Sequence, residues 1–200
     1  MIIVDDGIKN IDELRQRALN LNYKSSDLGN WPGYRVPVPS DISESYTIMI
    51  STVLKKELTF FEGHFQWSSS EWITGCSHYD STGYTGITFL NPKPEKNSGI
   101  EIYPEKYSIA KFGGDDKYVV KTNKFEPSKR KYYKSNKNIL DKLEFNVKRK
   151  IYNHNFRNPK IVKNRYNRTF VFSSCKVHRA QNFFGTNKND SRLTLICFFN

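Results

Sequence analysis

From Thr59 onward, short runs of aromatic and β-branched residues alternate with clusters of Gly, Ser, Asn and Pro. Such runs predict short strands, because these side chains suit a pleated surface and the intervening residues suit turns. The runs are TFFEGHFQW, ITGCSHYD, TGITFL and GIEIYP, and then, near the end of the chain, RTFVFSSC and SRLTLICFF. A chain of 200 residues with this pattern is typical of a single β-sandwich or jelly-roll domain.

The first 58 residues have a different pattern, which predicts helices. MIIVDD reads as a short edge strand, and Asn10 with Glu13 three residues later resembles a capping box that opens a helix over residues 11–21. A proline-rich link follows, and a second helix is predicted with Ser40 or Asp41 as its N-cap. We expect both helices to pack against the sheet.

A strongly basic segment separates the two groups of predicted strands. The net charge of the chain is +12, and residues 105–168 hold 19 of its 32 Lys and Arg but 6 of its 20 Asp and Glu. KFGGDDKY predicts a turn, and the spacing of Ile139, Leu143, Val147 and Ile151 predicts a helix. We therefore predict a basic, partly helical insertion over residues 105–165, within one domain that spans residues 1–200. Its position before the strand leading to His178 suits a lid or a substrate-docking surface, although charge runs are usually solvated faces.

The composition also predicts the compartment. No apolar run is long enough to span a bilayer, and the start has no basic stretch followed by an apolar one, so neither a membrane partner nor a signal peptide is predicted. Three cysteines do not suggest a disulfide scaffold. We expect a soluble, cytoplasmic protein. The bias towards Lys, Asn, Ile and Tyr is typical of an AT-rich genome, including a viral one, whose product would act in the host cytoplasm.

Three residues form a candidate metal site. His78 and Asp80 are two apart in a predicted strand, and successive side chains of a strand alternate between faces, so the two would share a face. His178 ends another predicted strand and can reach them across a jelly roll. Two imidazoles and one carboxylate with open coordination positions are the facial triad of non-haem Fe(II) oxygenases.

The last predicted strand supplies a candidate anion site. Arg192 and Thr194 share one face of SRLTL, while Leu193, Leu195 and Cys197 share the other, which would pack in the core. A guanidinium that faces inward is costly unless it meets an anion, and it binds a carboxylate through two parallel hydrogen bonds. Beside an open metal site, this arrangement indicates a dicarboxylate ligand.

At this point the sequence resembles the Fe(II)- and 2-oxoglutarate-dependent dioxygenases, and most closely their prolyl-4-hydroxylase-like branch. The resemblance lies in HYD itself, in the distal histidine and in the arginine of the final strand. It also includes ITFLNP, SGIEIYP, RTFVFSSCKVH, RLTLICFF and the opening IIVDDGIKNIDELRQRAL, about two thirds of the chain. The segment 105–165 matches nothing in the family pattern.

The resemblance implies a double-stranded β-helix, a cupin-like jelly roll. It implies Fe(II) bound by His78, Asp80 and His178. 2-Oxoglutarate would chelate the iron, with its far carboxylate on Arg192 and on Thr194. With O2 as the other substrate, such an enzyme hydroxylates a C–H bond and releases succinate and CO2. The branch acts on protein or peptide side chains, and small molecules are the second class of substrate; the oligomeric state is not predicted.

The chain also departs from the family pattern. Relatives often hold the cosubstrate carboxylate with a tyrosine, where this chain has Phe65, Gln66 and Trp67 on one strand and Phe89 on another. Gln66 is the candidate replacement, because Phe89 cannot donate a hydrogen bond. Prolyl hydroxylases often have Lys where Arg192 stands. The resemblance is therefore closer for the metal ligands than for the cosubstrate contacts.

Two alternatives remain open from the residues. Cys76 and His78, with Cys175 and His178, could form a structural zinc site, although ligands two apart on a strand lie about 7 Å apart. That arrangement gives Asp80 no role. The chain could instead be a non-enzymatic β-sandwich that binds nucleic acid through the lysines and aromatic residues of the basic segment. Against a nucleic-acid substrate, Phe198 stands where nucleic-acid demethylases of the superfamily have a second arginine.

Overall fold

The computed structural model describes residues 1–25, 31–72, 75–107 and 139–200. In these ranges the strands are β1 (Ile2–Asp5), β2 (Lys24–Ser25), β3 (Tyr34–Pro37), β4 (Phe60–Ser68), β5 (Tyr84–Phe89), β6 (Gly99–Ile102), β7 (Lys160–Lys163), β8 (Arg168–Ser173), β9 (His178–Ala180) and β10 (Arg192–Phe199). The helices are α1 (Ile11–Leu19), α2 (Ser40–Leu54) and α3 (Ile139–Asn153), with a 3-10 turn at Glu105–Tyr107.

The strands form two antiparallel sheets. The larger has the order β1-β8-β5-β10-β4-β3-β2 and the smaller has the order β7-β6-β9. β10 lies near the centre of the larger sheet, between β5 and β4. This arrangement confirms the predicted mainly-β jelly roll, with the terminal segment IIVD as an edge strand paired with β8.

Two hydrophobic clusters lie on opposite faces of the larger sheet, and β10 contributes to both. Leu193, Leu195, Cys197 and Phe199 belong to the cluster that also contains residues of α1 and α2. Ile196 and Phe198 belong to the second cluster, which joins the larger sheet to the smaller one. The alternation predicted for the last strand is therefore observed, and the N-terminal helices pack on the sheet as expected.

The ends of the N-terminal helices differ from the prediction. α1 ends at Leu19 rather than at residue 21, and the Asn10 side chain makes no capping bond to the backbone. Instead the Asn10 amide contacts the Glu13 carboxylate at 3.5 Å, so the capping box does not form. The N-cap of α2 is Pro39 rather than Ser40 or Asp41: its ring fixes φ at −57°, and its ψ of 148° lies outside the helical region.

Part of the predicted basic insertion is described. α3 covers the predicted helix, but Leu143, Val147 and Ile151 are exposed, so the apolar spacing that predicted the helix does not mark its packed face. The predicted turn KFGGDDKY lies outside the described residues. Among the described helices, none is both long enough and apolar enough to cross a bilayer.

Candidate metal centre

The two ligands of the HYD motif do not lie on a strand, which corrects the sequence prediction. His78 and Asp80 belong to the loop before β5, where His78 forms an isolated bridge with the first residue of β9, His178. The backbone amides of the two histidines each donate to the carbonyl of the other, at 3.0 and 2.7 Å. The Asp80 amide donates to the Ser174 carbonyl at 2.9 Å. Backbone pairing with the chain around β9, rather than strand alternation, therefore brings these residues together.

The three predicted metal ligands converge. The ligand atoms of His78, Asp80 and His178 all lie within 4.8 Å of one another. Nε2 of His78 is 3.7 Å from one carboxylate oxygen of Asp80, and Nε2 of His178 is 3.4 Å from the other. Among the residues that the structure describes, these three form the only cluster of potential ligands that could hold a metal ion.

Both imidazoles are oriented by the same kind of hydrogen bond. Nδ1 of His78 lies 2.9 Å from the Cys76 carbonyl, and Nδ1 of His178 lies 3.0 Å from the Lys176 carbonyl. A carbonyl accepts only, so Nδ1 carries the proton in each ring and Nε2 presents its lone pair. Phe172 packs edge-on against the His178 ring at 4.8 Å between centroids. The two rings are thus held in the tautomer that binds a metal.

The carboxylate is also held by neighbours. Thr85 Oγ1 donates to Asp80 Oδ2 at 2.8 Å and lies 2.8 Å from the Ser174 hydroxyl, which also contacts Thr82. These hydroxyls are buried. Sequence reasoning missed them, because isolated Ser and Thr residues carry no spacing signal, although Thr85 follows the HYD motif by only five residues.

A cavity of about 560 Å³ contains the triad and extends to Arg192. Arg192 is only 2% exposed, and its Nε and one terminal nitrogen have no hydrogen-bond partner among the described residues. The Phe89 and Phe183 rings lie 5.7 Å from the guanidinium carbon. Burial lowers the pKa of Arg192 to about 10, which leaves it protonated at neutral pH. A buried cation with unpaired donors, opening on a cavity, is a site for an anion.

The two other predicted cosubstrate contacts are placed differently. Gln66 lines the cavity, but its amide oxygen accepts from Arg35 Nε at 3.0 Å and its amide nitrogen donates to the Pro32 carbonyl at 2.5 Å. Thr194 is fully buried, and its hydroxyl lies 3.4 Å from the Gln66 carbonyl. Arg192 is thus the predicted cosubstrate residue whose donors remain unused.

The cysteines of the zinc alternative are not among the clustered ligands. Cys76 is buried against Trp72 and Phe183, and Cys175 contacts the Ser173 hydroxyl at 3.1 Å. The metal-binding group found in the described ranges contains Asp80 and neither of these cysteines. The geometry therefore favours the two-histidine, one-carboxylate set over the Cys2His2 set.

The chain is similar to known proteins in its structure but not detectably in its sequence. No model of a protein family matches the chain, and no curated protein sequence matches it. Solved structures do match over almost the whole chain. A prolyl hydroxylase from Trichoplax adhaerens, in complex with a peptide fragment of the hypoxia inducible factor oxygen degradation domain, has a TM-score of 0.60 at 11% identity, covering 99% of this chain and 82% of that one.

Two further matches have a similar extent. The Pseudomonas putida prolyl-4-hydroxylase has a TM-score of 0.55 at 12% identity, over 100% of this chain and 91% of that one. The epimerase SnoN, in complex with Fe3+, alpha ketoglutarate and nogalamycin RO, has a TM-score of 0.59 at 12% identity. The match covers 99% of this chain and 77% of that one. The chain therefore has the fold of the 2-oxoglutarate- and iron-dependent oxygenases, as its sequence motifs predicted.

Proposed function

We propose that the protein is an Fe(II)- and 2-oxoglutarate-dependent dioxygenase that hydroxylates a C–H bond. The observation that carries the proposal is the joint position of two features in one cavity. These are a triad of two imidazoles and one carboxylate, and the buried, unpaired guanidinium of Arg192. The fold supports the proposal, since the solved structures that share it include prolyl hydroxylases and a 2-oxoglutarate-dependent epimerase.

The ligand set of the triad fits Fe(II). Two neutral imidazoles and one carboxylate leave coordination positions for other ligands, which is the arrangement of non-haem Fe(II) oxygenases. In each ring Nδ1 faces a backbone carbonyl, which places the proton on Nδ1 and leaves the lone pair on Nε2. Thr85 orients the Asp80 carboxylate by donating a hydrogen bond to it. His78, Asp80 and His178 would hold the metal.

Arg192 fits the far carboxylate of 2-oxoglutarate. Its unpaired donors would form a charge-assisted pair with that carboxylate, which would remove the cost of burying an unpaired cation. Phe89 and Phe183 beside the guanidinium lower the local dielectric and so strengthen the pair. Thr194 and Gln66 are proposed to act less directly, as packing that fixes the strand carrying Arg192.

The proposed reaction is balanced with O2 as the oxidant. 2-Oxoglutarate, O2 and a substrate R–H give succinate, CO2 and R–OH, so one oxygen atom enters succinate and the other enters the substrate. The bound iron supplies the activation of O2. The residues of the chain bind and orient: Arg192 fixes one end of the cosubstrate, and the triad leaves positions open beside it. Ile87, Ile196 and Phe198 line the cavity and limit water.

For the substrate, we propose a protein or peptide side chain. The Trichoplax adhaerens enzyme, which has the same fold, is complexed with a peptide. The cavity opens beside Phe61, which is 59% exposed and can contact a chain lying across the mouth. The basic segment 105–165 is proposed to take part in docking that substrate, with small molecules as the alternative substrate class.

Cosubstrate turnover tests the proposal without knowledge of the substrate. Purified protein with Fe(II), 2-oxoglutarate and O2 should form succinate slowly, and a peptide library incubated with it should contain members heavier by one oxygen atom. Asp80→Ala should abolish both signals. A folded protein that forms no succinate and modifies no peptide would favour the alternative, a non-enzymatic β-sandwich that binds a partner through its basic segment.

A further inference from the structure

The C-terminal end of α3 is bonded to the loop that precedes the metal ligand His78. The Ser77 amide donates to Asn153 Oδ1 at 2.9 Å, and the Asn153 amide nitrogen donates to the Gly75 carbonyl at 3.4 Å. The Tyr152 hydroxyl donates to the Ser77 carbonyl at 3.0 Å. Asn153 is 6% exposed, so the loss of its side chain would leave a buried amide without an acceptor.

This contact determines the position of the carbonyl that orients His78. Cys76 lies between Gly75 and Ser77, and its carbonyl is the partner of His78 Nδ1 at 2.9 Å. Since the backbone groups on both sides of Cys76 are bonded to α3, the direction of the Cys76 carbonyl is fixed by the helix. The ring orientation of His78, and hence the direction of its Nε2, then depends on Asn153 and Tyr152.

The two histidines differ in how much support their own backbone provides. His178 begins β9, which is paired with β6 at Ile102. His78 lies outside the named strands, in a loop with one bridge to His178. Its ring is also the more exposed, with 42% of the side chain accessible against 6% for His178. External support therefore matters more for His78.

The end of α3 is itself anchored in the domain. The Tyr152 ring packs against Phe156 at 5.5 Å between centroids. Phe156 is buried in a cluster with Tyr103 and Val177, directly before β9. The helix end therefore connects the approach to one histidine ligand with the loop that carries the other.

We propose that Asn153 and Tyr152 are positioning residues for the metal centre. They hold the 75–77 loop so that His78 presents Nε2 to the metal, and they link the basic insertion to the iron site. This inference rests on the proposed function, because it assumes that the triad binds a divalent metal. It extends that function by giving the end of α3 a role in metal affinity, although Asn153 and Tyr152 are not themselves metal ligands.

Co(II) binding tests the inference directly, since the metal can be titrated by its absorption without substrate or turnover. Removing an outer partner of a ligand typically lowers metal affinity by about 10–100-fold. Asn153 acts on His78 through the Cys76 carbonyl, so we expect Asn153→Ala to weaken Co(II) binding by up to about tenfold. Tyr152→Phe, which keeps the ring, should weaken it by a smaller factor. Asn153→Asp keeps an acceptor for the Ser77 amide and should recover part of the affinity.

Ile151→Ala is the matched control, because Ile151 is 65% exposed in the same turn of α3 and should leave Co(II) affinity unchanged. Circular dichroism establishes that each variant is folded, and Tyr152→Phe provides the test if Asn153→Ala does not fold. Hydrogen exchange at the Ser77 and His78 amides should accelerate in Asn153→Ala. Folded Asn153→Ala and Tyr152→Phe variants with wild-type Co(II) affinity would overturn the inference, while a wild-type protein that binds no Co(II) would overturn the proposed function itself.

Discussion

Replacing Arg192 by methionine should make the ligand-free protein more stable while abolishing its response to 2-oxoglutarate. Burial lowers the pKa of Arg192 from its ordinary value to about 10. Since one pKa unit corresponds to about 1.36 kcal/mol, the charged guanidinium costs the folded state about 3 kcal/mol. Because the folded-state pKa of this base is lowered, the cost is present in full at pH 7 and is lost only as the pH rises above about 10.

Part of this gain is offset in the variant. The contacts of the guanidinium with the Phe89 and Phe183 rings contribute about 1 kcal/mol, and methionine is unbranched and fills most of the same space. We therefore expect Arg192→Met to raise the free energy of unfolding by about 2 kcal/mol. For a chain of this length, the melting temperature should rise by about 4–8 °C.

The assay is thermal unfolding under anaerobic conditions, with Mn(II) present and with or without 2-oxoglutarate. A cosubstrate at 100 times its Kd stabilises the wild-type protein by about 2.7 kcal/mol, and this increment should vanish in Arg192→Met. The control is Arg157→Met, an exposed position at which the melting temperature and the ligand response should both remain close to wild type. A destabilised Arg192→Met protein that 2-oxoglutarate still stabilises would refute the assignment of Arg192.

Three further perturbations follow from the structure. Thr85→Val removes the hydroxyl that donates to Asp80 and should weaken Co(II) binding by about tenfold; a titration with wild-type affinity would contradict the role given to Thr85. Gly33 has φ +92°, and a Cβ atom placed there would lie 2.2 Å from a backbone carbonyl oxygen of β4. Gly33→Ala should therefore lower the free energy of unfolding, measured in a urea melt, by about 2 kcal/mol or more. The hydrogen bond and charge of Arg168 lower the pKa of Asp5, so the stability that Asp5 contributes above its ordinary carboxyl pKa is lost as the pH falls through the lowered value. Asp5→Asn should therefore reduce the loss of unfolding free energy that a urea melt records as the pH is lowered. The same loss in the variant would show that the Asp5–Arg168 pair does not contribute to stability.

The larger features were predictable because they rest on periodicity. Arg192 lies on the face of β10 that lines the cavity, whereas Leu193 and Leu195 lie on the face that packs against the N-terminal helices. This is the alternation that a strand requires. The fold class followed from the same alternation, together with motifs spread over about two thirds of the chain. The convergence of His78 with His178 was predicted from a jelly roll that brings distant segments together, although HYD itself does not lie on a strand.

The errors arose where long-range contacts decide the local structure. Gly75, Ser77 and Gly83 suit a loop, and the bridge to His178 shapes that loop from a hundred residues away. The register of β3 places Arg35 opposite Gln66, the residue predicted in place of the family's tyrosine, and no local pattern in the sequence indicates that contact. The contact between Asn153 and Ser77 joins residues 76 apart, and no local pattern in the sequence indicates it.

The most direct measurement is the visible absorption spectrum of the protein on anaerobic addition of Fe(II) and 2-oxoglutarate. We expect a weak charge-transfer band that His178→Ala abolishes and Arg192→Ala weakens, while Arg157→Met leaves it unchanged. The absence of a band in folded wild-type protein would show that His78, Asp80, His178 and Arg192 do not form one site for iron and its cosubstrate.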